Sequence, residues 1–281
     1  MSLKKNLVRT KIINSNFLLT ILLLFFTLDC LGGIKVVSWN LRDFGKSKSD
    51  DEINYIANTI RAFDVIAIQE VVAGYGGAQA VARLADALNR KGANWEYAIS
   101  NPTISSSYKT ERYAFIWQAH KVSIVGEAWL ENRYAMEMDR EPFLATFKVL
   151  DDYFTLVNFH AITQSKQPER EIKYLKYFKD EYPKLNLIFC GDFNCPQSHS
   201  VIIPLKKMGY QPIFTGQKTS LKRKCSESNC LSSEFDNIFY DAHVLQMAKS
   251  SVIHFYLDFI DLTQALFISD HLPIWFEFIF K

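Results

Sequence analysis

Asp192 and Asn194 stand either side of Phe193, directly after the apolar run Leu187, Ile188, Phe189, Cys190 and the breaker Gly191. In extended chain, residues two apart point to the same side, so this carboxylate and carboxamide can share one cavity. Such a pair can grip a hard cation or orient a water beside a phosphate. The plain alternative is a Gly-Asp turn closing a strand. The situation recurs along the chain. Asn40 and Glu70 each follow an apolar run, His160 ends one, Asp236 opens one, and Asp270 with His271 leads into the last. Singly these read as a turn cap, a surface charge, core histidines or an Asx turn. Together they are a parts list for phosphodiester hydrolysis. Glu70, Asp192 and Asp270 offer hard oxygen ligands for a divalent cation. Asp236 and Glu111 offer carboxylate partners that would fix the tautomers of the two histidines.

Short apolar runs must carry these residues at their ends, and the ends of such strands are where α/β sheets build sites. Expected strands are Ile34–Leu41, Asp64–Glu70, Trp95–Ile99, Glu111–Trp117, Val122–Val125, Glu141–Val149, Tyr153–His160, Leu187–Cys190, Phe235–Tyr240 and the closing run to Phe280. Helical spacing places one helix after Asp50 (Ile53, Ile56, Ala57, Ile60), one up to Arg90 (Val81, Leu84, Ala85, Leu88), and one from Pro168 to near Pro183. Ser198–Met208 reads as helical at its core, Gln217–Glu234 as the longest polar loop, and Val252–Phe259 fits neither pattern. No repeat and no Pro/Gly linker divides the chain, which points to one layered α/β domain over residues 34–281.

Residues 1–33 read differently. Lys4, Lys5, Arg9 and Lys11 precede the apolar run Phe17–Leu28, too short for a comfortable membrane span, and Gly32 and Gly33 break the pattern. An export signal is expected, giving a secreted or periplasmic protein, with an uncleaved N-terminal anchor as the alternative. The 32 Lys and Arg less these four leave 28, and the 30 Asp and Glu less Asp29 leave 29. A body so close to neutral argues against coating nucleic acid by bulk charge, though not against touching a few phosphates at one site. Four cysteines follow the leader: Cys190 reads as a core thiol, Cys225 and Cys230 as the first pairing in an exported chain, and Cys195 as the competing partner.

The ordered motifs are Trp39-Asn40, Gln69-Glu70, Glu111-Arg112-Tyr113, Asp139-Arg140-Glu141-Pro142, Asn158-Phe159-His160, Gly191-Asp192-Phe193-Asn194, Asp236 and Ser269-Asp270-His271-Leu272-Pro273. From about Ile34 to Phe280 this resembles the endonuclease/exonuclease/phosphatase superfamily, and within it the pancreatic-type deoxyribonuclease branch with its bacterial relatives. The resemblance implies a four-layered α/β sandwich of two packed sheets flanked by helices. It implies a cation, Mg²⁺ with Mn²⁺ or Ca²⁺ as alternatives, at Glu70 with Asn40, and Asp270 as a second metal or orienting carboxylate. It implies that Asp192 and Asn194 position water and phosphate, and that His271 with Asp236 and His160 with Glu111 act as base and acid, in an order left open. Arg140 would hold a phosphate oxygen, with Arg42 and Tyr108 as further substrate contacts. DNA is the implied substrate, cut to leave 5′-phosphates, by a protein expected to be a monomer with no stable protein partner.

Two departures concern the grip on duplex DNA. Thr110 is inserted between Tyr108-Lys109 and Glu111, and Val71 stands where the resemblance leads one to expect an arginine after Gln69-Glu70. A lipid phosphodiesterase or phosphatase of the same fold, sphingomyelinase-like, is the alternative function. Such relatives carry an apolar loop for lipid, and none is expected here from the sequence. A non-catalytic binding protein is the third reading, disfavoured because both histidines and all the acidic positions are present.

Overall fold

The computed structural model describes residues 32–105, 110–226 and 229–281. Most of the expected leader and Tyr108 lie outside these. One six-stranded sheet contains β1 (Ile34–Phe44), β2 (Val65–Val72), β3 (Trp95–Ile99), β4 (Glu111–Gln118), β13 (Leu245–Val252) and β14 (Ile274–Phe280), in the order β13-β14-β1-β2-β4-β3. The second contains β5 (Ser123–Leu130), β6 (Phe143–Val149), β7 (Asp152–His160), β8 (Leu187–Asp192), β9 (Tyr210–Pro212) and β12 (Asp236–Asp241), in the order β5-β6-β7-β8-β12-β9. β10 (Leu221–Ser226) and β11 (Asn229–Leu231) form a separate hairpin. In each sheet one central pair is parallel, β1 with β2 and β7 with β8.

Strand alternation builds the layers. In β1, Ile34 and Val36 face the second sheet, while Val37, Trp39 and Leu41 face the opposite way. Between the sheets Val65, Ala67 and Phe115 meet Phe147, Phe154, Ile188 and Ile238. The outer face of the first sheet is covered by α1 (Asp50–Ile60), α2 (Tyr75–Asn89) and α6 (Leu262–Ile268). α1 starts at a capping box: Ser49 Oγ accepts from Glu52 N at 3.2 Å, and Glu52 Oε2 accepts from Ser49 N at 2.6 Å. The outer face of the second sheet is covered by the short helices α3 (Glu169–Ile172), α4 (Phe178–Glu181) and α5 (Ile203–Lys207). Helix, sheet, sheet, helix is the expected four-layered sandwich.

Three local expectations change. The helix expected between Pro168 and Pro183 is broken, with a 3₁₀ turn at Leu175–Tyr177 between α3 and α4. The polar loop Gln217–Glu234 contains the β10–β11 hairpin, closed by a Cys225–Cys230 disulfide, while Cys190 and Cys195 are buried free thiols. β13, absent from the sequence reading, is an edge strand with alternate residues exposed, so it shows no apolar run. At Gly191 the backbone adopts φ +137°, and a Cβ there would lie 1.9 Å from the carbonyl oxygen of Phe159. Only glycine fits this approach of β8 to β7.

Candidate active site

The topology explains why strand ends gather here. β1, β2, β7 and β8 finish at one edge of the sandwich, and the antiparallel strands β4, β12 and β14 begin beside those ends. Registers make this concrete: Asn40 lies beside Gln69, His160 beside Asp192, Asp192 beside Asp236, and Val72 beside Glu111. The two sheets are stitched together below the site. Gln69 Nε2 donates to Asn158 Oδ1 at 2.6 Å, and Asn158 Nδ2 donates to the Ile68 carbonyl at 3.0 Å.

Two buried histidines are each pinned through Nδ1 by a carboxylate. His160 Nδ1 lies 2.9 Å from Glu111 Oε1, and His271 Nδ1 lies 2.9 Å from Asp236 Oδ2. A carboxylate can only accept, so Nδ1 carries the hydrogen and Nε2 is presented to the site. Both Nε2 atoms face the same oxygen: Asp192 Oδ2 is 3.5 Å from that of His160 and 3.6 Å from that of His271. Asn194 supports this carboxylate, its backbone N–H donating to Oδ1 at 2.9 Å and its Nδ2 reaching Oδ2 at 3.3 Å.

The electrostatics follow from this crowding. Burial disfavours the charged form of each histidine, but the neighbouring carboxylates prevail. Asp236 and Asp192 hold His271 well above the usual imidazole range, and Glu111 with Asp192 raises His160 despite Arg140. Burial pushes Asp192 upward, yet His271, His160 and the hydrogen bonds from Asn194 and Asn40 bring it below the usual carboxylate range. Burial raises Asp236 to about 6, with His271 opposing. The site can therefore hold a proton on imidazole nitrogen beside an ionised Asp192.

Glu70 stands at the rim, its side chain 28% exposed, with Oε1 3.9 Å from His160 Nε2. Asn40 Nδ2 donates to Glu70 Oε1 at 2.9 Å and reaches Asp192 Oδ2 at 3.3 Å, while Asn40 Oδ1 accepts from Arg42 N. Asp43 N donates to Glu70 Oε2 at 3.2 Å. Arg42, Asp43, Glu70 and Asn194 all have positive φ, between 21° and 58°. Non-glycine residues held in this region are strained, and four of the six among the described residues cluster around the candidate site.

Among the described residues, Asp192, Asp236 and His271 form the cluster whose ligand atoms lie close enough to share an ion. Its oxygen and nitrogen donors are consistent with a metal site. Asp236 and His271, however, already bond each other, and Thr219 donates to Asp236 as well. Glu70 is more accessible than Asp192 or Asp236, and its hard oxygens next to the Asn40 amide suit a cation of the Mg²⁺ type. Asp270 is half-buried on the His271 side, outside that cluster, and its backbone carbonyl accepts from Leu221 N.

Arg140 is buried under His160. Nη1 donates to Glu111 Oε2 at 3.1 Å, Nε to the His160 carbonyl and Nη2 to the Ala161 carbonyl. These bonds leave two of its five N–H donors for a ligand. It lines a groove of about 330 Å³ with Asp43, Glu70, Val71, Val72, Ala73, Thr110 and Glu111. Arg42 is half-exposed, beside Asp43.

Several supporting residues gave no signal in the sequence. Thr219 donates to Asp236 Oδ2 at 2.7 Å. Glu171 accepts from the backbone of Asp139 and Ile162, tying together the segments that carry Arg140 and His160. Ser269 Oγ donates to the Asn40 carbonyl at 2.6 Å and accepts from His271 N, and Trp39 Nε1 donates to the His271 carbonyl. Trp39 and Ser269 stand inside motifs already named from the sequence, though nothing there marked them as supports, and Thr219 and Glu171 stand in none.

Comparison with known proteins agrees with this geometry. The chain is 27% identical over 269 residues to a deoxyribonuclease from Thioalkalivibrio sp. (strain K90mix), covering 88% of this chain and 72% of the relative. It is 27% identical to deoxyribonuclease-1 of Bos taurus, covering 86% and 90%. The solved structure of an endonuclease/exonuclease/phosphatase family protein from Bacteroides thetaiotaomicron superposes with a TM-score of 0.65 at 18% identity, covering 89% and 98%, a likeness of fold. The profile of the Endonuclease/Exonuclease/phosphatase family matches residues 37–271, and the chain belongs to that family.

Proposed function

We propose that this chain is an exported, metal-dependent nuclease that hydrolyses DNA phosphodiesters and leaves 5′-phosphates. The observation that carries the reading is the pair of carboxylate-pinned histidines facing Asp192 Oδ2 from two sides. The deoxyribonuclease relatives supply the substrate class. A divalent cation bound at Glu70, helped by Asn40, would neutralise charge on the phosphate and acidify an attacking water. The chain's own residues do the rest. One Nε2 removes a proton from water as it attacks phosphorus, and the other delivers a proton to the departing 3′-oxygen. Asp192 and Asn194 orient water and phosphate between the rings. Glu111 and Asp236 hold each tautomer and stabilise the imidazolium that forms. Arg140 and Arg42 contact phosphate oxygens.

The leader supports export to the periplasm or medium, and the mature protein acts as a monomer. N-terminal sequencing of exported material should start between roughly Cys30 and Ile34; a membrane-bound chain beginning at Met1 would support the anchor.

One observation favours the lipid alternative. The sequence suggested no exposed apolar loop, yet between β13 and β14 Leu257, Ile260 and Phe267 are 70%, 96% and 64% exposed. Protein incubated with plasmid or with sphingomyelin, in Mg²⁺ or EDTA, separates the readings. The nuclease reading expects Mg²⁺-dependent plasmid cleavage with ends that accept label only after phosphatase treatment at the 5′ side. Phosphocholine release without plasmid cleavage would establish the lipid enzyme instead.

A further inference from the structure

The β10–β11 hairpin has no part in the chemistry above, yet it is rooted in the reaction centre. At its base, Ser220 bridges His271, Leu221 N donates to the Asp270 carbonyl, and Leu272 N donates to the Thr219 carbonyl. Leu221 is buried with Ala265 and Ile268 of α6, which fixes the stem against the body. At its far end the Cys225–Cys230 disulfide closes the hairpin. Lys222 braces it internally, Nζ donating to Ser226 Oγ and to the Asn229 carbonyl, both at 3.2 Å. Arg223 and Lys224 are exposed, and no carboxylate pairs with either among the described residues. From Tyr210 to Ser226 the chain has four bases and no acid, in a body that taken whole is nearly neutral.

Resting on the nuclease reading, we propose that this hairpin is a phosphate-contacting arm. Arg223 and Lys224 engage the backbone of a DNA duplex whose scissile phosphate lies at His271. A basic strand held rigid by a staple and anchored beside a catalytic residue suits a polyanion of fixed geometry. From Arg223 to Ser226 every residue is exposed and none is a large apolar one, so charge is offered without the side chains that insert into a bilayer. The arm supplies duplex grip that the Val71 position lacks.

The test uses the mature protein with a fluorescently labelled DNA duplex in EDTA, so that binding is read without cleavage. Anisotropy titrations over a range of NaCl give the slope of log K against log[salt]. For R223A/K224A the slope should become shallower by about 0.9 per lost phosphate contact, close to two in total. The charge-preserving swap R223K/K224R should restore it, and matching thermal melts show that the fold is retained. A wild type that cuts duplex with the same slope as R223A/K224A overturns the arm and leaves the nuclease reading intact. An expected slope change in a protein that cuts no DNA in Mg²⁺ supports the arm's contact and overturns the nuclease reading. Vesicles of phosphatidylserine form the last arm: a loss of binding to them, with DNA slopes unchanged, assigns the hairpin to a membrane and overturns the proposal.

Discussion

Thr219 Oγ1 donates to Oδ2 of Asp236 at 2.7 Å, and that same oxygen meets Nδ1 of His271 at 2.9 Å. The hydroxyl also accepts from the backbone N–H groups of Asp236 and Phe235. One buried threonine therefore sets which way the Asp236 carboxylate turns, and through it the His271 ring. Thr219→Val keeps the shape and removes the hydroxyl. Turnover should fall by about tenfold to a hundredfold, the usual effect of losing such a supporting partner. Thr219→Ser should recover most of it, and the pH profile of Thr219→Val should shift because Asp236 and His271 titrate in a changed setting. A merely structural role would lower the melting temperature without moving the profile.

The histidines should respond more strongly. His160→Ala and His271→Ala should each reduce kcat by about two to four orders of magnitude. Both Nε2 atoms lie within 3.6 Å of Asp192 Oδ2, and under the proposed chemistry they serve one phosphate, so the double variant should lose far less than the product of the two effects. Single-turnover rates on plasmid, alongside melts to verify folding, measure this. Near-normal rates in both single variants would sink the proposed chemistry.

Glu70 should behave as a ligand and not as a proton carrier. Its carboxylate sits at the accessible rim, with Oε1 facing Asn40 and Oε2 facing the Asp43 backbone. Glu70→Gln keeps the size and removes the charge a cation needs. Activity should drop at low Mg²⁺ and partly recover as Mg²⁺ is raised, since a weakened site can be refilled by mass action. A loss that is constant across the Mg²⁺ titration would place the metal elsewhere, with the Asp192, Asp236 and His271 cluster the alternative. EDTA should abolish wild-type cleavage under either assignment.

How far the sequence disclosed this site depends on which physics is local. Asn40, Glu70, His160, Asp192, Asp236 and His271 stood out because each ends or precedes an apolar run, and parallel and antiparallel pairing then brings those ends to one edge. The four layers came from motif resemblance, since the periodicity of short buried runs cannot say which sheet a strand joins. Thr219 and Glu171 were silent because each ties together segments that only the fold brings close: Thr219 to Asp236, 17 residues away, and Glu171 to the backbone of both Ile162 and Asp139, 9 and 32 residues away. The left-handed backbone at Glu70 and Asn194 was equally invisible, being imposed by the assembled site and not by residue type. β13 and the strands of the β10–β11 hairpin escaped, although the Cys225–Cys230 staple was expected, because edge strands with exposed polar faces look like loops in composition.

Glu171 yields a prediction about stability and pH. Its carboxylate is buried, and burial raises its pKa above the usual value of 4.5, although N–H donors from Asp139 and Ile162 partly offset that. The sign follows from linkage. With a higher pKa folded than unfolded, the native state binds more protons between 4.5 and the raised value, so stability falls as pH rises through that window. Glu171→Gln cannot ionise and should lack this component. Urea unfolding from about pH 4 to pH 7 should show the wild type gaining on Glu171→Gln as pH is lowered. The variant should also lose activity at neutral pH, because a carboxamide places an NH2 donor where one of the two carboxylate oxygens accepts a backbone N–H, and the Arg140 and His160 segments loosen. A stability difference that is flat over the window would show that Glu171 titrates at its usual value, its two hydrogen bonds fully offsetting its burial.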